Sequence, residues 1–164
     1  MSGLDANAVD AVIERGIKRP IRLLLDAHCY PAAIVLTYSG MDTMAFLNMP
    51  PNRADVMRSD FITWTERYIE VALADPPSGK DLYGTRCTVL HGGAPSRFVR
   101  EGRGRLVRQI TGRAAVGLHI PAAELVRAFF AGIDRFVAEL MKDSERAVVA
   151  NRRLEELRAN GVYD

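Results

Sequence analysis

The apolar segment AAIVLTYSGMDTMAFL, residues 32–47, restricts the fold more than any other part of the sequence. Its apolar residues fall on most sides of a helix, a pattern typical of a helix surrounded by other elements. Pro31 suits the first turn of a helix, and Asn48, Pro50 and Pro51 are expected to end it. The segment therefore predicts the central helix of an all-α protein.

Helical spacing of apolar residues also predicts the neighbours of this helix. Pro20 is expected to interrupt the first amphipathic stretch and to begin another helix. Ser59 is expected to cap a helix with one apolar face, formed by Phe61, Trp64, Tyr68 and Ala72. A long helix should start at Pro121, and the charged segment after it should either continue that helix or fold back on it. We predict one helical domain over residues 1–164, a bundle of five to six helices. An insertion at 94–120 is expected to contain a short β-hairpin near 105–120.

The composition argues against several classes of protein. The chain has 164 residues, of which 48% are hydrophobic and 26% charged, as in ordinary globular domains rather than disordered ones. No apolar run has the length of a transmembrane helix, and the N-terminus lacks the pattern of a signal peptide. The two cysteines, Cys29 and Cys87, are too few for a disulfide framework. We therefore expect a cytoplasmic protein without a membrane partner.

Positive charge is concentrated in residues 97–113, although the net charge of the chain is only +2. In that segment only Glu101 opposes the arginines, which are Arg97, Arg100, Arg103, Arg105, Arg108 and Arg113. Such a block can bind the phosphates of RNA. A solvated loop with no ligand is the alternative.

The stretch LYGTRCTVLHGG, residues 82–93, carries an arginine where an apolar side chain is expected. On a helix, Leu82, Tyr83, Cys87, Val89 and Leu90 form one broad arc, and Arg86 falls inside it. An arginine on an apolar face is costly unless it is paired or reaches solvent in a cleft. We predict that Arg86 has a carboxylate partner, with Asp42 favoured over Glu70 and Asp26.

The histidine that follows is placed to exchange a proton. His91 is expected in the last turn of this helix, where the helix dipole favours an imidazolium. Gly92 and Gly93 are expected to end the helix and to allow close approach of a substrate or another backbone.

Arg86 and His91 form an R-x4-H pattern at the end of a helix, which resembles the signature motif of the HEPN superfamily (higher eukaryotes and prokaryotes nucleotide-binding). The resemblance covers the helical core, roughly residues 8–93 and the helix from Pro121. It implies a homodimer with two facing motifs and, in many members, a metal-independent endoribonuclease of toxin or defence type. A cognate antitoxin or another partner protein is a further expectation.

The resemblance also implies roles for individual residues. His91 would move the proton of a ribose 2′-hydroxyl or of the leaving oxygen, Arg86 would bind the phosphate, and the product would carry a 2′,3′-cyclic phosphate. Asp42 and Cys87 would support this pair, and no cofactor or metal would be needed. Cys87 stands where active members often carry a polar residue, commonly asparagine. That departure favours a non-catalytic module that binds RNA, nucleotide or a partner protein.

Two other hypotheses remain at this point. In the first, Arg86 belongs to a buried structural ion pair and His91 only caps its helix. In the second, His28 and Cys29 join Cys87 and His91 in a zinc site. The sequence lacks the paired-cysteine spacing of common zinc sites, so we rank this second hypothesis low.

Overall fold

A computed structural model describes residues 3–70, 76–91, 105–107 and 119–160, with only the backbone described at 91, 105–107 and 119. The first helix, α1, spans residues 6–26 and contains a π-helical stretch between two α-helical parts: Ala6–Val9, Asp10–Lys18 and Arg19–Asp26. The remaining helices of the described chain are α2, Tyr30–Asn48; α3, Arg58–Tyr68; α4, Gly79–His91; α5, Ala122–Leu140; and α6, Ser144–Ala159. These elements confirm the all-α helical bundle.

Two short strands accompany the helices. Strand β1, Arg105–Val107, pairs antiparallel with strand β2, His119–Pro121, and Leu106 lies opposite Ile120. This pairing confirms the antiparallel strands predicted near 105–120, and the predicted turn of the hairpin lies in residues 108–118, outside the described part of the chain. Strand β2 leads directly into α5, whose first residue follows Pro121.

Helix α2 lies at the centre of the bundle, as its composition predicts. It packs against each of the five other helices described above. Gly40 allows the closest approach, because a Cβ atom at this position would lie 2.7 Å from Cζ of the buried Phe129 on α5. A larger side chain would push these two helices apart.

The core beneath α3 is aromatic. Trp64 and Tyr68 are buried against Phe129 and Phe136 of α5, with several of the ring pairs in edge-to-face geometry. This packing confirms that Trp64 and Tyr68 are core residues. Phe61 is buried on the same side of α3, and Ala72 lies outside the described residues.

The predicted Ser59 cap is wrong, and the Pro20 prediction is wrong in part: Pro20 does not interrupt the helix, but it lies in the first turn of an α-helical part, as predicted. The backbone remains helical through Pro20, because the π-helical turns before it lead into an α-helical part whose first turn contains the proline. Ser59 lies inside α3 rather than at its cap. The carboxylate of Asp60 instead accepts a hydrogen bond from the Met57 N–H at 2.8 Å, at the start of the helix.

The charged C-terminal segment folds back. The chain turns after Leu140, and the side chain of Asp143 caps α6 by accepting a hydrogen bond from the Arg146 N–H at 3.0 Å. Helix α6 then packs against α1, α2 and α5. Of the two alternatives for this segment, a separate returning helix is therefore the one observed.

Candidate cleft between helices α2, α3 and α4

Helix α4 is fixed at its start by a local cap and by contact with α3. The Asp81 carboxylate accepts hydrogen bonds from the Ser78 hydroxyl at 2.8 Å and the Ser78 N–H at 3.1 Å. Gly79 lies so close to α3 that an added Cβ would meet the Ile62 carbonyl oxygen at 2.8 Å. Further along, Leu82 and Val89 are buried in the core. The arc predicted for this helix thus faces the bundle.

Arg86 lies on that arc and is paired with Asp42 of α2, as the sequence predicts. Its Nε donates to Asp42 Oδ2 at 2.9 Å and its Nη2 donates to the same oxygen at 2.7 Å. A longer contact of 3.2 Å joins Nε to Oδ1. The two side chains are 20% and 26% exposed, so water reaches the pair. Of the other candidate partners, Glu70 instead pairs with Arg135.

A second contact between α2 and α4 lies beside this pair. Tyr38 is buried one helical turn before Asp42, and its hydroxyl hydrogen-bonds the side chain of Thr85, the neighbour of Arg86. Burial raises the pKa of Tyr38 well above its ordinary value, although the Thr85 hydrogen bond acts to lower it. The phenol therefore stays neutral and holds the two helices in a fixed relation, which positions Arg86 against Asp42.

Arg86 and Asp42 form one wall of an open cleft of about 210 Å³. The remaining lining comes from α3, the residues before it and α4: Val56, Met57, Arg58, Phe61 and Tyr83. The guanidinium carbon of Arg58 lies 5.2 Å, and that of Arg86 5.9 Å, from the centroid of the Tyr83 ring. The cleft thus combines two guanidinium groups with two aromatic rings, those of Tyr83 and Phe61.

Cys87 borders the same group of side chains. The hydrogen bond between Cys87 and Tyr83 and the burial of Tyr83 both raise the pKa of the Tyr83 hydroxyl. Burial acts to lower the pKa of Arg86, but the hydrogen bonds and charges of Asp42 and Cys87 outweigh it, and the pKa is raised. Arg86 therefore keeps its positive charge at every physiological pH, as a phosphate-binding group requires.

His91 is the last residue of α4, as predicted, and its side chain lies outside the described part of the structure. On an α-helix a separation of five residues corresponds to about 7.5 Å along the axis and about 140° around it. The Cα atom of His91 therefore lies on a different side of the helix from that of Arg86. Whether the two side chains meet remains a prediction.

The predicted RNA-binding arginines are mostly beyond the described residues. Arg97, Arg100, Arg103 and Arg108 lie outside them, and Arg105 begins strand β1 with only its backbone described. Their role stays a prediction. By contrast, the cleft contains Arg58, which no apolar pattern or motif in the sequence distinguishes.

Among the described residues, no three or more His, Cys, Asp or Glu side chains come close enough together to hold a metal ion. Cys29 is exposed beside the end of α1, and the His28 ring contacts the Tyr30 hydroxyl at 3.0 Å. Nothing described here therefore supports the zinc hypothesis. In the same part of the chain, no helix is both long enough and apolar enough to cross a membrane.

The chain has no match among protein-family models, curated proteins or solved structures.

Proposed function

We propose that this protein is a HEPN-like endoribonuclease that cleaves RNA through a 2′,3′-cyclic phosphate without a metal ion. The observation that carries the proposal is the position of Arg86. Its guanidinium is held by Asp42 on the wall of an open cleft, five residues before His91. By contrast, Arg153 is buried in the core.

In the proposed reaction, the ribose 2′-hydroxyl loses its proton and its oxygen attacks the adjacent phosphorus. The bond from phosphorus to the 5′-oxygen breaks, and that oxygen takes up a proton. His91 performs one of these two proton transfers, and water completes the other. Arg86 binds the phosphate and stabilises the negative charge that grows on its oxygens. The products are a 2′,3′-cyclic phosphate and a 5′-hydroxyl.

Asp42 has two effects in this scheme. It fixes the guanidinium of Arg86 in one orientation, which reduces the cost of ordering that side chain when the phosphate binds. It also partly neutralises Arg86, so a single arginine binds the phosphate weakly. A homodimer with two facing motifs would bring a second Arg86 and a second His91 to one substrate, and we include this arrangement in the proposal.

The test is cleavage of end-labelled RNA in the presence of EDTA. We expect the wild type to cleave and His91→Ala to lose at least about 100-fold in rate, the usual contribution of a general acid or base. His28→Ala is the matched control, since it removes an imidazole at the far end of α1, and it should cleave like the wild type. Equal cleavage by His91→Ala and wild type would overturn the catalytic role of His91.

The second candidate is a non-catalytic module of the same type, and Cys87 favours it. A thiol beside Arg86 offers a weaker hydrogen bond than an amide would at this position. In this case no cleavage is expected from any variant, while Arg86→Gln should weaken binding of RNA or nucleotide. Binding by the wild type without cleavage, lost on Arg86→Gln, would support this candidate over the nuclease.

A further inference from the structure

Two cations lie beside the Arg86 cleft, and neither has a carboxylate partner among the described residues. Arg58 at the start of α3 and Lys80 in the first turn of α4 are both exposed. They line a shallow depression of about 560 Å³, which shares Met57 and Arg58 with the cleft. Within the described residues, neither cation forms a salt bridge, whereas most arginines in those residues do.

Three carboxylates in this region are engaged with other groups. Asp60 accepts hydrogen bonds from Arg53 and from the Met57 N–H, and Asp81 holds Ser78 at the start of α4. Asp42 is engaged by Arg86. Of the described side chains that line the cleft and the depression, Asp42 is the single acidic one, against three cations. The surface therefore has an excess of positive charge that an anionic ligand would neutralise.

Tyr83 keeps two of these charges close together. Its ring contacts the guanidinium groups of both Arg58 and Arg86, and Phe61 supports the ring in edge-to-face geometry at 5.6 Å. Contact with an aromatic face stabilises each cation and limits its motion. A phosphate bound beside this ring would be attracted by both guanidinium groups.

We propose that Arg58 and Lys80 bind phosphates of a single-stranded RNA on one side of the phosphate held at Arg86. The inference rests on the proposed function, because it extends the same substrate across α3 and α4. A single strand is required because in-line attack by a 2′-hydroxyl needs a backbone that can rotate out of helical geometry. Arg58 and Lys80 are thus substrate-binding residues, and Tyr83 acts through its contacts with Arg58 and Arg86.

The test measures binding of a fluorescently labelled, fully 2′-O-methylated RNA strand by anisotropy across a salt series. This probe keeps its phosphates but cannot be cleaved by 2′-oxygen attack. The logarithm of the association constant falls as the logarithm of the salt concentration rises. Each lost phosphate contact should make this slope shallower by about 0.7, so Arg58→Gln/Lys80→Gln should make it shallower by about 1.4. At about 0.1 M salt this corresponds to roughly fivefold weaker binding for each cation removed.

Arg19→Gln/Lys142→Gln is the matched control. Both of its target side chains are exposed, and both lack a salt bridge to a described residue, but they lie on α1 and after α5, away from the cleft. The two double variants have the same net charge, so a general effect of charge would lower both slopes equally. Equal slopes for the two variants would overturn the inference, as would a wild type that does not bind the probe. Equal affinity of the wild type for a duplex would overturn the single-strand part.

This design separates the inference from the proposed function. A wild type that fails to cleave RNA, yet shows the expected slopes with the uncleavable probe, would end the nuclease proposal and leave the binding surface standing. A His91-dependent nuclease whose two double variants have the same slope would end the inference alone. Thermal unfolding of each variant should match the wild type, since all four side chains are exposed.

Discussion

Two arginines meet helix α2 at different depths, and their surroundings differ in kind. Arg153 of α6 is 1% exposed and donates to three backbone carbonyls where α2 ends: to Leu47 at 3.3 Å, to Pro50 at 2.6 Å and to Met49. Arg86 of α4 is 20% exposed and pairs with the carboxylate of Asp42 in the middle of α2. One arginine closes a helix end inside the core, whereas the other lines a cleft that water enters.

The acceptors explain the difference. The last carbonyls of a helix have no partner in the helix itself, and buried carbonyls must find a donor elsewhere. Arg153 supplies that donor from a distant part of the chain, and its pKa is lowered by burial and by the charge of Arg152. Asp42 does not need a donor from the protein, because a carboxylate that is 26% exposed can be hydrogen-bonded by water. The contact of Arg86 with Asp42 is therefore available for a purpose other than folding.

The largest effect is expected from Arg153→Met. It removes donors from three carbonyls at the end of α2 and should lower the free energy of unfolding by about 3 kcal/mol or more. Urea denaturation measures this loss. The neighbouring Arg152→Met is the control and should cost at most about 0.5 kcal/mol, because that side chain is 57% exposed. A loss below about 1 kcal/mol for Arg153→Met would remove the distinction between the two arginines.

A smaller effect is expected from Arg86→Met. The pair is partly solvated, so removal of the guanidinium should cost about 1 kcal/mol of stability, with a coupling of similar size to Asp42→Asn in a double-mutant cycle. High salt screens exposed charges and should reduce this coupling, while the loss caused by Arg153→Met should stay constant. If the Arg86 coupling were both larger than about 3 kcal/mol and insensitive to salt, Arg86 would be a structural residue like Arg153.

The smallest effect concerns a third way to close a helix end. Helix α1 ends at Asp26, and His28 two residues later adopts the left-handed conformation with φ of 58°. The Cys29 N–H then donates to the Leu24 carbonyl at 2.8 Å. This closure needs no distant side chain. His28→Gly should raise the free energy of unfolding by about 0.5 kcal/mol, since glycine adopts this conformation without strain but gains entropy in the unfolded chain. His28→Ala keeps the backbone strain, so it should not raise the free energy of unfolding. Thermal unfolding of the two variants and the wild type measures the difference.

Local patterns explain which parts of the fold could be predicted. The apolar residues on most sides of 32–47 predict a surrounded helix, because a single helix cannot bury such a segment alone. The cost of placing Arg86 on an apolar arc predicts a carboxylate partner, and Asp42 fulfils that prediction. The end of α2 at Asn48 likewise follows from the prolines after it. Each of these inferences needs only the neighbours along one helix.

The mistaken or missing predictions depend on backbone and side-chain geometry that residue preferences do not show. The continuation of α1 through Pro20 depends on wider turns before the proline, which residue preferences do not indicate. Ser59 is a common capping residue, but Asp60 takes that role because its carboxylate reaches the Met57 N–H. Arg153 follows the apolar spacing of α6, close to Ala150 and Leu154, so this spacing could have identified it as buried. No comparable pattern distinguishes Arg58 or Lys80.

The sequence by itself determined the helical class, the central helix and the need of Arg86 for a partner, since these follow from spacing and from the cost of burying a charge. Only the tertiary structure decided that Arg86 reaches solvent, that Arg58 and Lys80 lie beside it, and that Arg153 does not share their surface. Exposure depends on how far neighbouring helices separate. That separation is set by close contacts such as those at Gly40 and Gly79, which join residues far apart in the chain.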